Sequence, residues 1–194
     1  RGFTPDEASQ AYSAYSLLKT GRDEWGKAWP ITSFKSFLDY KSPLQTYLMI
    51  PSISVFGLNE FAARLPSAIA GSLAILTIYF LVNHIFSLSF KESLNIGIFN
   101  LGHVAALILA ASPWHIQFSR MALEANLSSF LFPLGLLFFL KSQKNYKYYY
   151  VVALAWGLCL YSYHAAKFFI PTFSLALLGI YYQNIRSNII KILP

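Results

Sequence analysis

Asp6 and Glu7 stand side by side after Thr4-Pro5 near the start of the chain. A carboxylate here can act as a general base if it stays ionised and reaches a substrate hydroxyl. Four cations, Lys41, Arg64, Arg120 and Lys167, lie where apolar runs begin or end. Each can hold an anionic group such as a phosphate at a membrane boundary, or simply anchor or snorkel at a helix end. Glu124 follows Arg120 by four residues, the spacing of a helix-surface ion pair, and the two read equally well as lining a cavity. Glu7 has a purely structural reading beside the chemical one. With Thr4 as cap and Pro5 at the first helical position, it completes a capping box, and both acids suit the helix dipole. His84, His103, His115 and His164 are scattered without metal-ligand spacing, and the single Cys159 excludes a disulfide framework or a cysteine zinc cluster. No metal ligands are assigned.

The elements that must position these groups are apolar. The chain is 56% hydrophobic and only 12% charged, against about a quarter charged in a soluble domain. Its apolar runs are long enough to cross a bilayer, which makes it an integral membrane protein in contact with membrane lipids. The net charge of +7 comes without a dense basic helix or arm, so nucleic acid is excluded as a partner. Spans are predicted at 61–83, 94–112, 124–140, 148–163 and 168–183. Residues 1–60 read as a helical first loop, with a helix opening at Thr4 and closing at Gly21 and an interfacial apolar segment from Pro43 to Phe56 holding Pro51. Six of the eight acids fall in this loop, as expected where hydrocarbon excludes carboxylates.

Lys and Arg in the short loops set the orientation. Lys91, Lys141, Lys144, Lys147, Arg186 and Lys191 lie in one set of loops, and only Arg120 and Lys167 in the other. The first set is therefore cytoplasmic, and residues 1–60 lie outside with Arg120 and Lys167. The chain starts at Arg1 and stops at Ile192-Leu193-Pro194, and it reads as a fragment truncated at both ends.

The succession Phe3-Thr4-Pro5-Asp6-Glu7-Ala8, Lys19-Thr20-Gly21-Arg22-Asp23-Glu24-Trp25, Tyr40-Lys41-Ser42-Pro43-Leu44 and Phe56 to Ser67 resembles the N-terminal membrane part of glycosyltransferase family 39-type enzymes. These are GT-C transferases related to protein O-mannosyltransferases and the lipid A aminoarabinose transferase. Ser112 to Arg120 and the Tyr163 to Pro171 stretch are also similar. The resemblance implies an inverting transfer of a hexose or pentose from a polyprenyl-phosphate carrier to an acceptor on the outer face, the acceptor being a protein, lipid or glycan. It implies Asp6 as base, Glu7 shaping the site or binding substrate, and Lys41 and Arg64 facing the carrier phosphate. Arg120, Glu124 and Lys167 are the further substrate-binding candidates. The chain has Lys41-Ser42-Pro43 where the family often has a basic residue before two prolines. It has Tyr40 where the aminoarabinose enzyme has an acidic metal ligand, and dependence on a divalent ion is left open.

The expected architecture is an all-α polytopic membrane bundle: a helical external loop over residues 1–60, then a membrane domain of about five spans over 61–194. The expected location is the plasma membrane of a bacterium or archaeon. A transporter or lipid-carrier flippase without transferase activity is the alternative, since charges at one membrane face also mark translocation paths.

Overall fold

The computed structural model describes residues 2–36, 39–89 and 100–186. The start of the predicted 94–112 span, together with Lys91, Glu92 and Lys191, lies outside them. The elements run α1 (Pro5–Thr20), β1 (Phe34–Ser36), β2 (Asp39–Lys41), α2 (Pro43–Phe56), α3 (Glu60–Ser89), α4 (Leu101–Ala111), α5 (Pro113–Ser119), α6 (Glu124–Ser142), α7 (Tyr148–Leu160) and α8 (Ala166–Ile180).

Helix α1 begins on the capping box expected from its sequence: the Glu7 amide donates to Thr4 Oγ1 and the Thr4 amide to Glu7 Oε2. It ends at Gly21, whose φ of 69° is left-handed and whose amide donates to the Leu17 carbonyl, a geometry that costs a side-chain-bearing residue strain. Ala11 and Ala14 on its inner face pack with Met49 and Ile53 of α2, Ala62 and Ala63 of α3, and Ala122 before α6. Five alanines, from α1, α3 and the turn before α6, let the backbones approach closely, so this small core seats the first loop on the bundle.

The first loop is not helical throughout. Phe34–Ser36 and Asp39–Lys41 form an antiparallel hairpin in which Phe34 faces Lys41, Lys35 faces Tyr40 and Ser36 faces Asp39. Phe34 and Ser36 are buried and Lys35 is exposed, the two-residue alternation of a strand rather than the helical period. Phe34 packs edge-on against Tyr47 of α2, which supplies the tertiary contact so short a strand needs.

Helices α3 and α6 are long and apolar enough to cross a membrane. Only 33% and 39% of their most apolar windows are buried within the protein, and Ile69, Leu76 and Phe80 of α3 stay exposed. Such faces suit lipid better than water. Helices α4, α7 and α8 are apolar but shorter.

The main core joins α3, α6, α7 and α8 through Ala70, Leu127, Leu131, Phe139, Val152, Trp156 and Ile170. Trp156 stacks on Phe132 and Phe139 and donates from Nε1 to the Phe132 carbonyl at 3.2 Å. Gly135 makes this possible, because a Cβ there would overlap the Trp156 indole. Above this core Asn126 donates to the Ser67 carbonyl at 2.8 Å and Gln45 to Ser67 Oγ at 3.4 Å. These bonds fix α6, α3 and α2 in register just below the charged end.

Gly135→Leu tests this packing. Leucine improves intrinsic helix propensity by about 1 kcal/mol over glycine, whereas forcing atoms into a filled core costs roughly 1–3 kcal/mol. The variant in detergent is expected to melt several degrees lower; an unchanged or higher melting temperature would show that Trp156 does not need the glycine.

Candidate active site

Consecutive helical residues point about 100° apart, and this separates the adjacent acids. Glu7 turns inward and is fully buried. Its Oε1 accepts from Arg64 Nε at 2.8 Å and from the Ala122 amide at 2.9 Å. Its Oε2 accepts from Arg64 Nη2 at 3.0 Å, the Thr4 amide at 3.0 Å and Thr4 Oγ1 at 3.2 Å. The Arg64 Nη2 also donates to the Gly2 carbonyl. Burial by itself would raise the Glu7 pKa, but the Arg64 hydrogen bond, the Thr4 and Ala122 amides and the Arg64 charge reverse this and lower it from the ordinary 4.5 to about 2. Glu7 thus has its lone pairs engaged within the protein.

Asp6 turns outward, with its side chain 51% exposed. Its Oδ1 lies 3.1 Å from Lys41 Nζ, and its Oδ2 carries no hydrogen bond among the described residues. Lys41 Nζ also donates to Asp39 Oδ2 at 2.9 Å, so one ammonium sits between two carboxylates. Burial pulls the Lys41 pKa down, but the hydrogen bonds to Asp39 and Asp6 outweigh it and raise the pKa. Asp39 is lowered by its bond to Lys41 and by the Tyr40 amide.

The remaining candidates surround this group. Glu124, at the first turn of α6, accepts the Ser42 amide. The Arg120–Glu124 helical ion pair does not form, because Arg120 closes α5 and Glu124 opens α6 and the 121–123 turn breaks the helical spacing. Arg120 instead lines a cavity of about 280 Å³ with Arg64, Glu60, Phe61, Leu65, Ala68 and Ser119. Lys167 Nζ lies 3.5 Å from His164 Nδ1, and His164 Nε2 donates to the Tyr40 carbonyl at 2.8 Å. All seven predicted site residues therefore belong to one connected end of the bundle. Sequence reasoning gave no role to Asp39, and it left His164 outside the site although that residue lies three positions before Lys167. The Ala122 and Ser42 amides carry no side-chain signal at all.

Residues 40–193 match the family described as dolichyl-phosphate-mannose-protein mannosyltransferase. The chain belongs to that family. It is a membrane glycosyltransferase of the GT-C type. No curated protein and no solved structure matches it. The family match begins one residue before Lys41 and leaves Asp6 and Glu7 outside, yet both acids make direct contacts to matched residues: Asp6 to Lys41, Glu7 to Arg64 and Ala122. Among the described residues no three His, Cys, Asp or Glu groups converge, and the Lys41 ammonium fills the gap between Asp6 and Asp39.

The depressed pKa of Glu7 gives stability a pH dependence of definite sign. Because the folded value lies below the unfolded one, the contribution is complete above about pH 4.5 and is lost as pH falls toward 2. Its size is about 3 kcal/mol at neutral pH. Thermal unfolding of the solubilised protein is expected to show that acid limb, and Glu7→Gln to lower stability at pH 7 while flattening the limb. An acid limb of unchanged depth in the variant would assign it to other carboxylates.

Proposed function

We propose that the protein is an inverting transferase that moves a sugar from a polyprenyl-phosphate carrier to a hydroxyl acceptor at the outer or lumenal face of a multi-pass membrane domain. Asp6 is the general base. The observation that carries this reading is the division between the two acids: Glu7 is buried and saturated, while Asp6 is exposed and keeps an oxygen unengaged. Family membership supports the reaction class and the lipid-linked donor.

In this mechanism the acceptor oxygen attacks the anomeric carbon from the side opposite the phosphate. Its proton passes to Asp6 Oδ2, and the bond between the anomeric carbon and the phosphate oxygen breaks with its electron pair going to the phosphate. In-line displacement inverts the anomeric carbon. The growing charge on the leaving phosphate calls for preorganised cations, and fixed groups of this kind contribute more than mobile ones because they need not reorganise. Lys41 and Arg120 supply them, with Arg64 held beside the Arg120 cavity by Glu7. Lys167 lies further out beside His164 and serves the entering donor or acceptor. The acceptor is a protein or glycan hydroxyl.

The full-length protein, assayed for transfer from a mannosyl-phosphoryl-polyprenol, tests this. Asp6→Asn keeps the shape and removes the base, so turnover is expected to fall by roughly 10²–10⁴ with donor binding retained. Transfer at the unaltered rate would eliminate Asp6 as the base. Absence of transfer by the unaltered protein from any lipid-linked sugar, with movement of the carrier across vesicles, would replace the transferase by a flippase.

A further inference from the structure

Lys41 takes its direction from the strand that bears it, and one edge of that strand is gripped by the membrane helices rather than by another strand. In an extended chain the backbone groups of residues i and i+2 point to the same side. Strand β1 lies on one side of β2, with Phe34 opposite Lys41. On the other side two alternate groups are each bonded to a distant element. The Tyr40 carbonyl accepts from His164 Nε2 at 2.8 Å and the Ser42 amide donates to Glu124 Oε2 at 2.5 Å; just beyond, in the first turn of α2, the Leu44 amide donates to the Tyr161 carbonyl at 3.2 Å. The start of α6 and the turn between α7 and α8 thus act as a partner strand for an edge that would otherwise be open.

We propose that His164 and Glu124 are positioning residues for Lys41: by holding the peptide groups on either side of it, they fix its ammonium between Asp6 and Asp39. Neither residue touches the ammonium, so their effect passes through the backbone. The inference rests on the reading above, in which Lys41 faces the carrier phosphate. It goes beyond that reading in giving His164 a role and in moving Glu124 from substrate contact to backbone support. The arrangement explains how a lysine on a three-residue strand holds its place: with β1 alone the hairpin is too short to be stable, and the fastening to α6 and to the α7–α8 turn supplies the missing order. It also makes Lys41 placement sensitive to the spacing of α6, α7 and α8, which carry the two fastening points.

The test uses the full-length protein and two readouts. The first is acylation of Lys41 by an amine reagent, measured by mass spectrometry against Lys19 in the last turn of α1. The second is sugar transfer resolved into kcat and donor KM. His164 is exposed, so His164→Ala should fold. It is expected to label severalfold faster at Lys41 and to lose on the order of tenfold in kcat. His164→Gln places an amide donor near the Tyr40 carbonyl and is expected to restore both readouts to within about twofold of the unaltered protein. Glu124→Gln, which keeps an acceptor oxygen, and Glu124→Leu, which does not, form an independent pair with the same contrast. Equal Lys41 labelling in His164→Ala and the unaltered protein, or no rescue by glutamine at either position, would overturn the brace. Faster labelling with rescue, but no sugar transfer even by the unaltered protein, would leave the brace standing and remove the transferase reading instead.

Discussion

The ion pair between Glu7 and Arg64 is the constraint on which the charged end depends. A fully buried carboxylate must be met by donors or it is expelled or protonated. Here those donors come from three places: the start of α1, the first turns of α3, and the Ala122 amide just before α6. The pair therefore acts as a three-way joint. Because its geometry is side-on and bidentate, it fixes the rotation of α1 about its axis as well as its distance from α3. Once that rotation is set, Asp6 has only one direction in which to point, and Lys41 lies in it. The small alanine core beneath the joint allows the close approach that a single Glu–Arg pair can span.

A second constraint meets the first at Lys41. The hairpin is held through its backbone edge by groups from α6 and the α7–α8 turn, so Asp6 is positioned from α1 and Lys41 from α6 and that turn. The two partners of one ion pair are thus supported by different parts of the fold. This differs from a surface ion pair between neighbours on one helix, which would report little about the arrangement of the whole.

Much of this was legible in the sequence. Thr4-Pro5-Asp6-Glu7 specifies its capping box locally, and α3 and α6 follow from run length and composition. Asp6, Lys41 and Arg64, singled out in the sequence, lie at one end of the fold, Asp6 against Lys41 and Arg64 against the neighbouring Glu7. The hairpin was not legible: three-residue strands give too short a pattern for alternation to stand out, and Phe34 is explained only by its contact with Tyr47. The Arg120–Glu124 pairing failed because a spacing of four means a helix-face contact only when the helix is continuous between them. His164 and Glu124 serve backbone groups 124 and 82 residues away, and the identity of a backbone partner leaves no trace in side-chain spacing.

The adjacent acids show how the helix period divides labour. The residue facing inward needs length to reach Arg64 and the Ala122 amide, and it is the glutamate. The residue facing outward is the shorter aspartate, so its carboxylate stays close to the rigid helix start and has less rotamer freedom to lose in pairing with Lys41. An exposed glutamate there would sweep a wider volume, while a buried aspartate would stop one methylene short of donors on two other elements. The order Asp-Glu, rather than Glu-Asp, is therefore what the geometry of this helix start requires. The capping box adds a reason of its own, since the residue three after the cap must reach back to the Thr4 amide. The same glutamate that closes the helix also holds Arg64, so of the two adjacent acids Asp6 is the one whose carboxylate stays exposed.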